Sequence, residues 1–507
     1  MLPPFYIMAK PVCGVCNLKC AYCYYIDKPR QLYPEERTFM MSADVLERYT
    51  REYLAAQPVQ ANFGWQGGEP LLAGKAFFQQ AVEFQQQYGV AGGAAGPGTG
   101  ATAGAVSRRA RQDAGETPAT LTGETPVVPG AQVVANALQT NGTLLDDEWC
   151  ELLARYKFLV GLSLDGPPDW HDFYRRDAAG QGSFARAWAG LELLRKHRVE
   201  FNLLVTLNAR NAPHAGDLYR YFVNRGIHWL QFIPVLEKDA AGRPTEHSCT
   251  GEQFGRFMLD VLALWLERHV GMVSERLIDS VLHTIVHGRA ALCCNAESCA
   301  NAYVLEWNGD LYACDHFVYR HWLIGNIMRT PLEDLVRSPK LEEFARLKTE
   351  LPAACRDCEF LAYCRGGCPK HHVVGGPPAC GTAAPGCAPS TSPAEGGWAT
   401  PDCDITAGGR PDPRRVNHFC TGYKLFFRHA LPELKRIAEY LKRGQQPPPG
   451  SRPPGPSPQG HAPTPMSDQM PPSPYQGMEP PRQAVQAGRN TLCPCGSGRK
   501  FKHCCGR

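Results

Sequence analysis

The chain has no apolar run approaching the roughly 20 residues that a membrane-spanning helix needs. It also lacks the basic-then-apolar opening of a secretory signal, so the cytoplasm is the expected compartment. An excess of one charge is missing too: 53 basic and 49 acidic residues leave a formal net charge of +4. So even a balance gives no electrostatic case for a nucleic-acid partner or an anionic membrane surface. Cysteine, in contrast, is plentiful, with 22 in 507 residues. Without a signal peptide, thiols clustered at short spacings read as metal ligands held in a reducing compartment, not as disulfides. A hydrophobic fraction of 43% supports a sizeable core, and the length allows two or three domains.

The first thiol cluster is Cys16-Asn17-Leu18-Lys19-Cys20-Ala21-Tyr22-Cys23. Three thiolates can hold three irons of a cubane and leave the fourth iron open to a small molecule. A zinc knuckle that takes Cys13 as its fourth ligand is the alternative. The C-x3-C-x2-C spacing, with an aromatic before the last cysteine, resembles the signature of the radical S-adenosyl-L-methionine (SAM) superfamily.

The pattern along the chain is an alternation. Strands are predicted at 5–9, 61–66, 133–138, 158–164, 200–207 and 228–235. Helices are predicted at 41–56, 75–88, 146–155, 184–197 and 214–225, with Ser42 as an N-cap. Strands alternating with helices of this length imply βαβ units on a parallel sheet. Six units fall short of a closed eight-fold barrel, so the expected fold is α/β, a partial (β/α)6 barrel over 1–240. Residues 90–130, rich in Gly, Ala, Thr and Pro, read as a disordered insertion. A helical connection at 241–292 leads to a cysteine-rich domain at 293–443. That domain contains a hairpin at 303–312 with an Asn308-Gly309 turn, a second low-complexity insertion at 371–415 and an amphipathic helix at 421–443. A linker rich in Pro, Gly, Gln and Ser at 444–489 precedes a small module at 490–507.

Several motifs sit at predicted strand ends, where such sheets place their sites. Gly67-Gly68-Glu69-Pro70 offers close backbone approach to a ligand amino group. Ser163 and Arg175 are candidates for ribose and carboxylate contacts, or else a strand end and a surface charge. In the cysteine-rich domain, Cys355, Cys358, Cys364 and Cys368 join Cys293, Cys299, Cys314 and Cys420 to make eight thiols, the number that two fully ligated four-iron clusters require. Zinc ribbons are the alternative. Asp315, next to Cys314, is either a solvated or capping carboxylate or a base whose pKa is raised by an apolar mouth. In the tail, Cys493, Cys495, Cys504 and Cys505 form a closed four-thiolate set for Zn2+. So short a segment cannot bury a core, and metal would have to stabilise it.

Taken in order, Gln66-Gly67-Gly68-Glu69-Pro70, Gln139-Thr140-Asn141-Gly142-Thr143 and Gly161-Leu162-Ser163-Leu164-Asp165-Gly166-Pro167, together with the cysteine array, resemble the anaerobic sulfatase-maturating enzymes. The resemblance covers about 1–90 and 131–440. The array resembles that family's SPASM auxiliary-cluster domain, and the tail resembles the SEC-C zinc motif. The resemblance implies oxidation of a Cys or Ser side chain of a sulfatase to Cα-formylglycine without O2, through hydrogen abstraction by a 5′-deoxyadenosyl radical. It implies three [4Fe-4S] clusters. One rests on Cys16, Cys20 and Cys23, one on Cys293, Cys299, Cys314 and Cys368, and one on Cys355, Cys358, Cys364 and Cys420. It places SAM against Tyr22, Gly68, Ser163, Arg175 and Leu236, and it makes Asp315 the base. It further implies a sulfatase polypeptide substrate, an electron donor such as flavodoxin or ferredoxin, Zn2+ in the tail and a protein partner for that tail. A SPASM-type enzyme that matures a ribosomal peptide is the alternative reading. Cys13 and Cys294 are read as bystanders beside ligand positions, and Cys380, Cys387 and Cys403 as unligated thiols.

Overall fold

Six parallel strands lie side by side in the order in which they occur in the chain: β1 (Tyr6–Lys10), β2 (Gln60–Trp65), β3 (Val133–Thr140), β4 (Leu159–Ser163), β5 (Phe201–Leu207) and β6 (Trp229–Pro234). The computed structural model describes residues 2, 4–89, 132–239, 242–299, 301–374, 415–445 and 447. The 90–130 insertion, most of the 371–415 segment, nearly all of the linker and the 490–507 module therefore lie outside the described residues.

Helices connect the strands: α1 (Lys28–Leu32) and α2 (Ala43–Ala56) after β1, α3 (Lys75–Tyr88) after β2, and α4 (Asp147–Arg155) after β3. α5 (Pro168–Tyr174) and α6 (Phe184–Lys196) follow β4, and α7 (Ala215–Val223) follows β5. Local chemistry sets where they start. The Ser42 hydroxyl accepts the Val45 N–H and the Asp146 carboxylate accepts the Trp149 N–H, satisfying donors that the helix itself leaves free. α1 and α5 have no counterpart among the predicted helices. They are 5 and 7 residues long, too short to show helical periodicity, and Pro occupies their first turns.

The core lies between sheet and helices, with Tyr49, Tyr53, Phe63, Trp65, Phe77 and Phe78 in successive ring contacts. The Trp65 indole N–H donates to Asn136 Oδ1 at 2.8 Å, and Asn136 and Gln85 exchange two amide hydrogen bonds. This closes a buried polar set without orphaned donors.

The sheet runs on beyond the six units. β7 (Ser274–Glu275) extends it past β6, following α8 (Gly251–Arg268) and preceding α9 (Arg276–His287). At the other edge β8 (Ala302–Glu306) pairs parallel to β1, and β9 (Asp310–Tyr312) and β10 (Leu323–Asn326) continue antiparallel. The hairpin that the sequence pattern assigns to a cysteine-rich domain is thus continuous with the barrel sheet. Alternation alone cannot reveal this, because β1 would otherwise present an unpaired edge that some other strand must cover.

The remaining helices are α10 (Leu332–Leu335), α11 (Pro339–Thr349), α12 (Ala353–Arg356), α13 (Leu361–Cys364) and α14 (Cys420–Lys442). The flanks of the 371–415 segment are paired: β11 (His372–Val374) lies antiparallel to β12 (Arg415–Asn417). Among the described residues no helix is long and apolar enough to cross a membrane.

α14 brings Cys420 to its site by packing on α8. A Cβ on Gly422 would stand 2.1 Å from the Gly251 carbonyl oxygen, and one on Gly255 would stand 2.6 Å from Gly422 Cα. Both neighbours are backbone, so nothing can rotate out of the way. Gly422→Ala is expected to lower stability by about 1–3 kcal/mol, the usual cost of overpacking. A guanidinium unfolding midpoint equal to that of the parent would show that the two helices separate freely.

Candidate functional site

The site is assembled from loops at the C-terminal ends of the strands. After β1 the chain turns through Cys13, buried with φ 52°. Two strand-end turns then meet backbone to backbone: Gly68 N–H donates to the Cys13 carbonyl and Glu69 N–H to the Val15 carbonyl, each at 2.8 Å. A Cβ on Gly68 would lie 1.9 Å from Val15 O, and one on Gly67, whose φ is 134°, would lie 2.5 Å from Cys13 O. The glycines are therefore required first for this contact. The other side of the loop is held by Lys19 N–H on Arg176 O and Ala21 N–H on Tyr174 O. The Glu69 carboxylate, fully buried, accepts from Asn141 N and Thr140 Oγ1, both at 2.8 Å. Asn141 Nδ2 in turn reaches Asn17 Oδ1 at 2.9 Å and Cys16 Sγ at 3.8 Å. Three sequence motifs from three strands thus close on one loop.

Within that loop Cys16, Cys20 and Cys23 act electrostatically on one another. Burial pushes the Cys16 thiol up to about 11 and the Cys20 thiol to about 12, and it raises Cys23 as well. Leu18 N–H donates to Cys16 Sγ at 3.3 Å, and the backbone N–H groups of Tyr25 and Ile26 serve Cys23. Three mutually opposed buried thiols, already supplied with N–H donors, suit one shared cationic metal group, which would stabilise all three as thiolates. Cys13 stands apart, with its thiol hydrogen-bonded to Glu306.

Around this loop sit the five positions predicted to bind SAM. Gly68 follows β2, Ser163 ends β4, and Leu236 follows β6 and is buried. Tyr22 donates its hydroxyl to Asp165. Arg175 is no surface charge: it forks onto Asp165 through Nε at 2.8 Å and Nη2 at 3.2 Å, and it reaches Thr206 Oγ1 at 3.1 Å. Burial would raise the Asp165 carboxyl, but the Arg175 guanidinium outweighs it and holds the group below the usual carboxylate range. Behind this pair, the Ser183 hydroxyl donates to Arg175 O and so accepts from His171 Nε2, leaving Nδ1 to accept the Asp165 N–H. Burial, then the Arg175 charge, push the His171 imidazole down to about 3 and keep it neutral. Sequence reasoning misses Asp165 and His171, although Asp165 stands within the motif at 161–167.

Asp315 reaches the same mouth through the β1–β8 register, which sets Lys10 opposite Glu306. Lys10 Nζ lies 2.5 Å from Asp315 Oδ1, and the Tyr24 hydroxyl donates to Oδ2. Lys10 is fully buried, 4.3 Å over the Tyr25 ring and 3.4 Å from Gln66 Oε1, and the Tyr25 hydroxyl donates to Glu306. The expectation of a raised Asp315 pKa is overturned. Burial does push it upward, but the adjacent Lys10 charge, His316 and the two hydrogen bonds bring it below its ordinary value. Sequence reasoning does not single out Lys10, Tyr24 or Glu306; a lysine at the end of an otherwise apolar strand is the available signal.

The other eight thiols form two groups. Cys293, Cys299, Cys314 and Cys368 lie in mutual electrostatic range, with Cys294 beside Cys293, Cys299 and Cys368. Cys355, Cys358, Cys364 and Cys420 line a cleft of about 320 Å³. Between Cys364 and Cys368 stand three consecutive left-handed residues, Arg365, Gly366 and Gly367, with φ of 47°, 76° and 69°. They turn the chain from one group to the other. Among the described residues no three such side chains close on a single metal ion, so neither quartet has drawn in to a zinc-type tetrahedron. Cys380, Cys387, Cys403, Cys493, Cys495, Cys504 and Cys505 lie outside the described residues.

Comparison with known proteins agrees with this geometry. Residues 11–222 match the Radical SAM superfamily, residues 287–359 an iron-sulfur cluster-binding domain and residues 489–507 the SEC-C motif. The serine-type anaerobic sulfatase-maturating enzyme of Bacteroides thetaiotaomicron is 32% identical over 88% of this chain and 94% of its own length. The chain belongs to the anaerobic sulfatase-maturating enzyme family. The cysteine-type enzyme of Clostridium perfringens is 29% identical over 87% of this chain and 100% of its own. A solved structure of native anSMEcpe with bound AdoMet and Cp18Cys peptide aligns at a TM-score of 0.66 and 27% identity, covering 87% of this chain and 100% of that one.

For this member of the family, Lys10→Met leaves Asp315 buried without its cation. Breaking one side of a buried pair costs about 3–5 kcal/mol, and the lower end is expected because the Asp315 side chain keeps 15% exposure. In a double-mutant cycle with Asp315→Asn, measured by denaturant unfolding, the double variant should lose less than the sum of the singles. Strict additivity would mean that the two groups do not interact.

Proposed function

We propose that this chain oxidises a cysteine or serine side chain of a sulfatase polypeptide to Cα-formylglycine without O2. The carrying observation is that one barrel mouth joins a three-thiol loop to an ionised Asp315 clasped by Lys10 and Tyr24. Cys16, Cys20 and Cys23 would hold a [4Fe-4S] cluster. Tyr22, Gly68, Ser163, Arg175 and Leu236 would hold SAM, the Arg175–Asp165 fork fixing the wall against which its polar end lies. Bound there, this pair supplies hydrogen-atom abstraction from an unactivated carbon.

The protein's own residues govern the proton and the electron. Asp315, kept ionised by Lys10, accepts the side-chain proton of the target. Tyr24 orients one carboxylate oxygen and leaves the one bound by Lys10 fixed. Glu306, through Tyr25, holds the ring beneath Lys10. The oxidation removes two hydrogens: one is abstracted from carbon, the other leaves as a proton to Asp315, and an electron remains. Cys293, Cys299, Cys314 and Cys368, and Cys355, Cys358, Cys364 and Cys420, would hold two further clusters that take that electron away. A small redox protein such as flavodoxin or ferredoxin would be the electron donor, and the reducing cytoplasm is where these thiols stay competent. In the tail, Cys493, Cys495, Cys504 and Cys505 would bind Zn2+, forming a tethered module for a protein partner.

Anaerobic incubation with SAM, a reductant and Cys-x-Pro-x-Arg and Ser-x-Pro-x-Arg peptides is the test. An aldehyde-reactive product is expected, with the Ser peptide lighter by about 2 Da, the mass of two hydrogens. SAM cleavage that leaves both peptides unchanged would favour a ribosomal-peptide substrate. Metal analysis of the same preparation should give about twelve irons, for three four-iron groups, and about one zinc.

A further inference from the structure

Lys348, near the end of α11, is 1% exposed. Its ammonium donates all three protons to backbone carbonyls: Cys294 O at 2.6 Å, Arg365 O at 2.9 Å and Gly367 O at 2.6 Å. The first belongs to the turn that carries Cys293. The other two belong to the left-handed run between Cys364 and Cys368. The other buried lysine of the mouth, Lys10, has Asp315 as its anion, and the part-buried Lys370 has Glu237 at 2.7 Å. Among the described residues no carboxylate pairs with Lys348.

Joining these two loops does not require a charge. Asn295 Nδ2 on Tyr363 O at 2.8 Å and Asn417 Nδ2 on Gly366 O at 3.1 Å tie the same region with neutral amides. A buried ammonium is costly unless an anion offsets it, so the charge needs its own account. Its electrostatic neighbours supply one. Lys348 favours the thiolate form of Cys294, Cys299 and Cys368 on one side and of Cys364 on the other. A four-iron group on four thiolates is a net anion, and it becomes more negative by one charge on reduction.

We infer that Lys348 is the internal counter-cation shared by the two cysteine quartets, tying their loops with its three protons and favouring the reduced state of both bound groups. The inference rests on the reading that the quartets hold iron–sulfur clusters. It gives the electron leaving the oxidised target a lower-energy place to go, and it makes Lys348 a positioning residue that never touches the substrate.

The test is a redox titration followed by electron paramagnetic resonance. It uses the full chain carrying Cys16→Ala, Cys20→Ala and Cys23→Ala, so that only the quartets contribute. In this background Lys348→Gln keeps hydrogen-bond donors but loses the charge, and Lys348→Arg keeps the charge. With iron retained, Lys348→Gln is expected to lower the reduced fraction of both signals at least tenfold at fixed potential, a shift of ~59 mV for a one-electron couple. Lys348→Arg should stay near the parent. Iron lost from Lys348→Gln but kept by Lys348→Arg would equally support the counter-charge. Unchanged potentials in Lys348→Gln, a shift confined to one quartet, or equal iron loss in both variants would overturn it. No sulfatase peptide enters the experiment, so its failure is separable from that of the substrate assignment. A parent holding zinc in place of iron in the quartets would instead overturn the cluster reading.

Discussion

The parallel pairing of β1 with β8 is the contact on which the rest of the site depends. β1 is the first strand of the barrel, and its outer edge would be open without a partner. The strand that covers it comes from nearly 300 residues downstream and brings a hairpin and the segment after it. Because the register sets Lys10 opposite Glu306, the next turn delivers Asp315 to the Lys10 ammonium and to Tyr24. A two-residue slip would separate that pair while leaving the hydrophobic faces unchanged, since strand faces repeat every second residue. The buried ion pair and the Glu306–Tyr25 contact therefore act as register keys as well as site chemistry.

A second constraint is the backbone contact between the cysteine loop and the β2 turn. Side chains can adjust to a neighbour by rotating, but two main chains in contact cannot. Gly67 and Gly68 let the turns touch, Glu69 then bridges to the β3 turn, and Asn141 carries the bridge back to Cys16. The loop that holds three thiols is thus fixed from behind by chain segments that need not touch a cofactor. Preorganisation of this kind is what a group bound through three thiolates and open on its fourth side requires.

The barrel strands, their helices and every cysteine group are legible in the sequence, because each is written in a short-range code: alternation, caps and thiol spacing. Ser42 and Asp146 are readable as helix starts because capping is local. The features that escape are nonlocal. Nothing around residues 302–312 says that their partner is β1, so sequence pattern places the hairpin in a separate domain and leaves Lys10 without a role. The Asp315 pKa reads in the wrong direction for the same reason: its neighbour at Cys314 is visible, but the cation that decides its charge lies 305 residues away. Arg175 is undervalued because its partner Asp165 sits across a turn that sequence spacing does not fold.

Charge completes the argument. The fold buries cations and thiols side by side and leaves the thiols strongly disfavoured as anions in the bare protein: burial takes Cys20, Cys294 and Cys364 each up to about 12. The cations are not spread evenly. Arg175 serves Asp165 and leans on Cys20, Lys10 serves Asp315, and Lys348 stands between the two quartets with only carbonyl dipoles to offset it. A scaffold so arranged is electrostatically incomplete until each thiol group carries metal. Loading then stabilises the fold as well as equipping it, because the charge that each cation was placed to meet arrives with the metal-bound thiolates.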